Sequence, residues 1–211
     1  MKTLLLLLVL PVALRAEQPL EQLQRGMAAV RSVYLEFTQE RQLSLFADPL
    51  KSEGVMLIEK PDRIRWETTA PFQSILLGDH KAVAQFEDGK KLKLGFPQML
   101  QRVMEQMTLM HQGKLDALTA DYTVNVVTGA APAIVLVPKD ANTRAILEAI
   151  EMQMTPEFQA VRAIVMKEPG GDFTRILMRN ERRDVTFPPG TFDQNKPLPL
   201  ADVKNALSHA P

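Results

Sequence analysis

The chain has 211 residues, 25 basic and 25 acidic side chains, a formal charge of zero, one Trp, two Tyr and no Cys. Balanced charge argues against a nucleic-acid binder, which carries a basic excess. The lack of cysteine excludes a disulfide framework, a thiolate metal site and a lipid attached through cysteine, so stability rests on packing alone.

Lys2 precedes an apolar run, Leu4 to Leu10, and then Pro11 to Ala16. A basic start, a run too short to span a bilayer and small residues near its end predict a secretory signal peptide, residues 1–16. Cleavage is expected after Ala16, with Ala13 as the alternative. A single domain is expected over residues 17–192, and a loosely held tail over 193–211 apart from a short helix near Asp202 to Leu207. Glu17 to Arg31 reads as a helix, because Leu20, Leu23, Met27 and Val30 make one apolar face. Ser32 to Glu40 reads as a strand with a possible extension to Phe46, broken by Asp48-Pro49.

Two strands then flank Lys60-Pro61-Asp62. In the second, Ile64, Trp66 and Thr68 share one face, and Arg63, Arg65 and Glu67 the other. With Met56 and Ile58 turned inward beside Ile64 and Trp66, Lys60 ends an apolar row. The charged face reads either as a solvated strand face or as a rim for an acidic or phosphate-bearing partner; Arg179, Arg182 and Arg183 read the same way. Short strands follow at Gln73 to Leu77, Ala82 to Phe86 and Lys91 to Leu94, the last two joined by the hairpin signal Asp88-Gly89.

From Gln98 to Gln112 the period turns helical, with Leu100, Val103, Met104, Met107 and Met110 on one face and Gly113 as the stop. This helix fits either the outside of the sheet or a lid over its concave face; the methionines favour the lid, since flexible thioethers suit variable apolar shapes. Leu115 to Ala120 reads as one more helical turn. Strands are expected again at Tyr122 to Val127, Ile134 to Val137, Ile150 to Met154, Val161 to Lys167 and Phe173 to Arg182, with Asn142 to Ala149 a loop with some helix. About nine to eleven short antiparallel strands make a mainly β (α+β) fold, either a strongly curved sheet or an incomplete antiparallel β-barrel able to hold a ligand inside.

Machinery for chemistry is missing. His80, His111 and His209 lie at no metal-ligand spacing and read as surface residues. No G-x-S-x-G elbow and no glycine-rich phosphate cradle occurs, and the carboxylates are scattered. The expectation is a protein without catalysis, metal or cofactor.

Phe37-Thr38-Gln39, Gly54, Lys60-Pro61, Arg65-Trp66, Ala70-Pro71, Ile75-Leu76 and Phe187-Pro188-Pro189-Gly190 occur in that order. This series resembles the periplasmic outer-membrane lipoprotein carrier family, LolA, over roughly Leu20 to Phe192. The resemblance implies an incomplete barrel whose apolar hollow is covered by helices, and a chaperone-like, soluble periplasmic role: acylated lipoproteins received from an inner-membrane ABC transporter and passed to an outer-membrane receptor. It implies that the residue before the Pro of Lys60-Pro61 latches the lid. The family carries arginine there and an aromatic residue at the position of Ile64, so Lys60 and Ile64 are departures; lysine offers three rotatable donors where arginine offers a rigid fork. The expected apolar lining is Met27, Phe37, Met56, Ile58, Ile64, Trp66, Leu76, Leu100, Val103, Met104, Met107, Met110, Met152 and Met154, with Lys60 and Arg65 at latch and rim. A monomer is expected. The alternatives are a lipid-sensing regulatory module on the same fold, a carrier dedicated to a specialised lipid or pigment intermediate, and an enzyme for an apolar substrate.

Overall fold

The computed structural model describes residues 19–95, 97–157 and 159–208; the expected signal peptide and His209 lie outside them. Helix α1 (Pro19–Ala29) leads into β1 (Ser32–Gln42), β2 (Leu50–Glu59), β3 (Arg63–Ala70), β4 (Ser74–Gly78), β5 (Val83–Glu87) and the two-residue β6 (Lys90–Lys91). Next come α2 (Pro97–His111), the single turn α3 (Leu115–Leu118), β7 (Tyr122–Val127), β8 (Ala133–Pro138), the turn α4 (Ala141–Arg144), β9 (Ala149–Met154), β10 (Val161–Lys167), β11 (Phe173–Arg183) and α5 (Leu200–Ser208).

All eleven strands form one antiparallel sheet in the order β6-β5-β4-β3-β2-β1-β11-β10-β9-β8-β7. The two longest strands, β1 and β11, pair at its centre over most of their length. Two meanders spread outward from that pair, and the edge strands β6 and β7 do not meet, so the sheet is not closed into a barrel. Register shifts at Tyr34/Glu36, Glu53/Gly54 and Val161/Ala163 are sites where an extra residue bends a strand and increases its twist. Gly54 is required by close approach: a Cβ there would stand 1.9 Å from the Glu67 carbonyl oxygen and 2.9 Å from the Phe37 ring.

Two apolar layers follow from the alternation. On the concave side, Leu35, Phe37, Met56, Ile58, Ile64 and Ile176 gather with Val30 and Met104, while Ile134, Leu136, Met152 and Met154 gather with Leu23 of α1 and with α3. The helix that sequence pattern left open between outside and lid therefore covers the hollow. Gly113 ends it with a φ of 71°, the left-handed conformation that suits a helix stop, and a Cβ there would collide with the Gln24 carbonyl oxygen, 2.2 Å away.

The convex side corrects one expectation. The short helix expected near Asp202 to Leu207 forms as α5, and it is packed on the sheet, so the tail around it is not loosely held. Val203 and Leu207 of α5 are buried against Tyr34, Val55, Leu57 and Phe187, because inward alternation on the concave face leaves a second apolar row on the other. Smaller corrections concern ends. The β6 ladder stops after Lys91, with one further backbone bond from Leu92 N–H to the Gln85 oxygen at 2.8 Å. β1 stops at Gln42, and the chain turns through Leu43 to Phe46 on a Phe46 N–H to Leu43 oxygen bond. The helix expected within the loop from Asn142 to Ala149 forms as α4 and begins one residue earlier, capped by Asp140, whose side chain accepts from the Thr143 N–H.

Candidate functional site

Register builds the floor of the hollow. Ile58 pairs with Ile64, and Ile64 with Gly78; Met56 pairs with Trp66, and Trp66 with Leu76. Phe37 pairs with Gly54 on one side and Met178 on the other. The Phe37 and Trp66 rings pack 4.7 Å apart at 47°. Gly78 leaves room for the lid: a Cβ there would stand 2.7 Å from Met104 Cγ, and Met104 is buried in that space.

Between this floor and helices α1 and α2 lies an apolar hollow of about 120 Å³. Of the expected lining, Met27, Met56, Ile58, Met107, Met110 and Met152 border it. Phe37, Ile64, Trp66, Leu76 and Met104 belong to the same concave layer beyond the open space, and Met154 packs in the neighbouring cluster. Leu100 and Val103 sit on α2, but their side chains lie outside the described residues. Leu23, Val30, Val33, Leu35, Val161, Ile164 and Met178 also border the hollow and were not among the expected residues. Val33 and Leu35 were legible from β1 alternation once its inward face is known; Val161 and Ile164 are not, since β10 is apolar on both faces.

The hollow is smaller than the roughly 300 Å³ at which pockets for drug-sized ligands begin. A larger concavity of about 720 Å³ lies beside it, bordered by Arg31, Glu59, Lys60, Gln112, Lys114 and Asp184 among others. That groove is bordered mainly by charged and polar residues, so hydrocarbon is better placed in the smaller, methionine-lined space.

Lys60 borders the larger concavity, two residues beyond Ile58 of the smaller one. Its Nζ donates to the carbonyl oxygens of Met27 at 3.0 Å and Ala28 at 2.5 Å, in the last turn of α1. A cation there also meets the negative end of the helix dipole. Burial holds the ammonium pKa below the usual lysine value, while Asp184 opposes that. The Lys60 N–H donates to the Arg31 oxygen at 2.9 Å, and Gln112 Nε2, just past α2, donates to the Pro61 oxygen at 2.5 Å. The Lys60-Pro61 corner therefore holds α1 directly and the end of α2 through its neighbour.

Arg65 corrects a second expectation. It is neither at a rim nor solvated: Arg65 and Glu67 are 0% exposed. Arg65 Nε and Nη2 donate to Glu67 Oε2 at 2.9 and 2.5 Å, and Nη1 donates to the oxygens of Thr191 and Leu198 at 2.8 and 2.7 Å. The pair lies on the convex face beneath the C-terminal segment, which the strand's own alternation does not reveal. Arg63, on that side too, pairs with Glu59 and stands over the Phe192 ring, 5.3 Å from its centroid. The expected basic group near Arg183 also disperses: Arg182 bonds the Leu207 oxygen at 2.9 Å, and Arg183 bonds Glu181 at 2.5 Å and the Gln159 oxygen at 3.0 Å.

His80 is exposed and paired with Asp62. His111, expected at the surface, is 8% exposed and borders the hollow. Burial pushes its pKa down to about 4, helped by the charges of Lys60 and Arg183. Among the described residues, no group of three or more His, Asp or Glu is placed to hold a metal ion, and no helix is long and apolar enough to cross a membrane.

The chain is similar to known proteins over most of its length. A curated outer-membrane lipoprotein carrier protein from Chromohalobacter salexigens is 26% identical over 127 residues, 60% of this chain and 58% of that protein, so the match spans little more than half of the relative. A solved LolA superfamily protein from Nitrosomonas europaea superposes with a TM-score of 0.48 at 11% identity, covering 84% of this chain and 96% of that one. A DUF1329 family protein from Desulfovibrio piger gives 0.49 at 8% identity, with the same two coverages. The model of the family described as outer membrane lipoprotein carrier protein LolA matches residues 28–195, and the chain belongs to that family.

Proposed function

We propose that the protein carries the acyl chains of lipoproteins, or of another lipid, in the hollow between its sheet and helices α1 and α2. The observation that supports this most is an apolar, methionine-bordered space under helices in a chain of the LolA family. Burial of a sixteen-carbon chain is worth on the order of 12 kcal/mol at about 0.8 kcal/mol per methylene. The space of about 120 Å³ is too small for such a chain, so loading displaces a helix and unloading lets it return. Transfer needs no bond chemistry, and the reading is of a carrier without enzymatic activity, metal or cofactor.

In this reading residues 1–16 are a cleaved signal peptide, and the mature chain works as a periplasmic monomer. Cargo arrives from an inner-membrane ABC transporter and leaves to an outer-membrane receptor. Lys60 acts as the latch that keeps α1 seated while the hollow is empty. Native mass spectrometry after gentle purification tests the reading. Bound acyl species are expected, and their masses separate lipoprotein cargo from a dedicated lipid. Protein that emerges empty and cannot be loaded from membrane vesicles would sink it.

A further inference from the structure

His111 closes α2 on the same stripe as Met104 and Met107, three and four residues apart in turn. Leucine would complete that apolar face. Instead the position holds an imidazole, and among the described residues its Nε2 is the one buried side-chain nitrogen or oxygen without a hydrogen-bond partner. A buried donor or acceptor left without a partner is destabilising, so its retention asks for one. The neighbouring polar groups do not serve it. Lys60 Nζ is taken by two α1 carbonyls, and Arg183 by Glu181 and the Gln159 oxygen.

Three features define a partner for that nitrogen. It borders hydrocarbon space, so the partner is the polar end of an apolar ligand. Lys60 lies near enough to act on its charge, and Arg183 is offset by Glu181 beside the same hollow, so the remaining positive charge suits an electron-rich oxygen that carries no proton to give. The imidazole is buried and neutral, with one N–H to give. Ligand entry must lift α2, because the empty hollow holds only about 120 Å³, and the helix carries His111 with it.

We infer that His111 Nε2–H is a headgroup subsite, donating a hydrogen bond to the carbonyl oxygen of an acyl group whose chain fills the methionine-lined hollow. This inference rests on the carrier reading and adds the ligand's polar end to it. The shared chemistry is an acyl carbonyl, supplied by an ester-linked chain or by a free fatty acid.

The test loads ¹⁵N-histidine-labelled protein with carbonyl-¹³C methyl palmitate, with carbonyl-¹³C palmitate, or with hexadecane from the same detergent. The His111 resonances are identified by their loss in His111→Leu. At least one carbonyl ligand is expected to shift both the His111 Nε2 signal and its own ¹³C signal, and hexadecane to leave Nε2 unmoved. Which carbonyl ligand does so assigns the source. His111→Leu should weaken the responding ligand about five-fold relative to hexadecane, the equivalent of one net hydrogen bond; His111→Gln should restore most of that ratio. Carbonyl ligands that load with an unmoved Nε2 and equal affinity for His111→Leu would overturn the subsite and leave the carrier reading intact. Failure of all three to load would overturn both.

Discussion

Lys60 shows how much one side chain can hold. Its ammonium satisfies two carbonyls at the end of α1, where no intrahelical donor remains. Lys60→Met should cost about 1–2 kcal/mol in urea unfolding, the value of charge-assisted bonds reduced for partial exposure, and Lys60→Arg should recover most of it; an unchanged midpoint for Lys60→Met would show that the latch holds nothing. The buried pair behaves differently. Arg65→Met strands the Glu67 carboxylate and should cost about 3–5 kcal/mol, whereas Arg65→Met with Glu67→Leu should cost markedly less, because the penalty lies in the uncompensated charge. Equal losses would refute that account. His111 gives a pH signature. Its folded pKa of about 4 lies below the ordinary 6.5, so the unfolded chain binds a proton that the folded chain refuses. Stability therefore falls as pH drops from about 6.5 to 4, by about 3 kcal/mol in total. Urea midpoints from pH 8 to 4 should show the slope in the parent chain and a flatter one in His111→Leu. Sequence placed Lys60 correctly at the end of an apolar row. It misplaced Arg65 and His111, because burial of a charged or titratable group depends on what another segment lays over it.

At the scale of elements, alternation made most strands legible. Ile64 and Trp66 share a face in the sequence, and the concave floor uses that face. The methionine stripe of α2 likewise pointed to a lid, and Met104 is buried against the sheet at Gly78. The C-terminal helix was legible near Asp202 to Leu207, but its docking on the sheet was not. Val203 and Leu207 are two apolar residues one turn apart in a polar stretch, and only the distant row of Tyr34, Val55 and Leu57 makes them core. Truncation after Phe192 should uncover that row and remove the Leu198 oxygen from Arg65. Burial of two large aliphatic side chains is worth about 3–6 kcal/mol, so the truncated chain should unfold at far lower urea. A shift below about 1 kcal/mol, within the ordinary range for surface changes, would mean that the segment only rests on the sheet.

For the whole molecule, the proposed carrier role raises the question of how hydrocarbon is bound and still released. An acyl chain gains on the order of 12 kcal/mol on burial, enough for nearly irreversible capture. Displacing α2 to admit it exposes Met104, Met107 and Met110, at a cost on the order of 5 kcal/mol. Closure of the empty protein returns that energy, which weakens net binding into a range where cargo can move on. The cysteine-free chain allows a direct test. An ideal Cβ at Gly78 lies 3.1 Å from Met104 Cβ, close enough for Gly78→Cys with Met104→Cys to form a disulfide after a small adjustment. Acyl loading of this double variant, measured by native mass spectrometry with and without reductant, isolates the lid. The reduced protein should load lipid and the oxidised protein should not. Equal loading in both states, or none in either, would contradict the account.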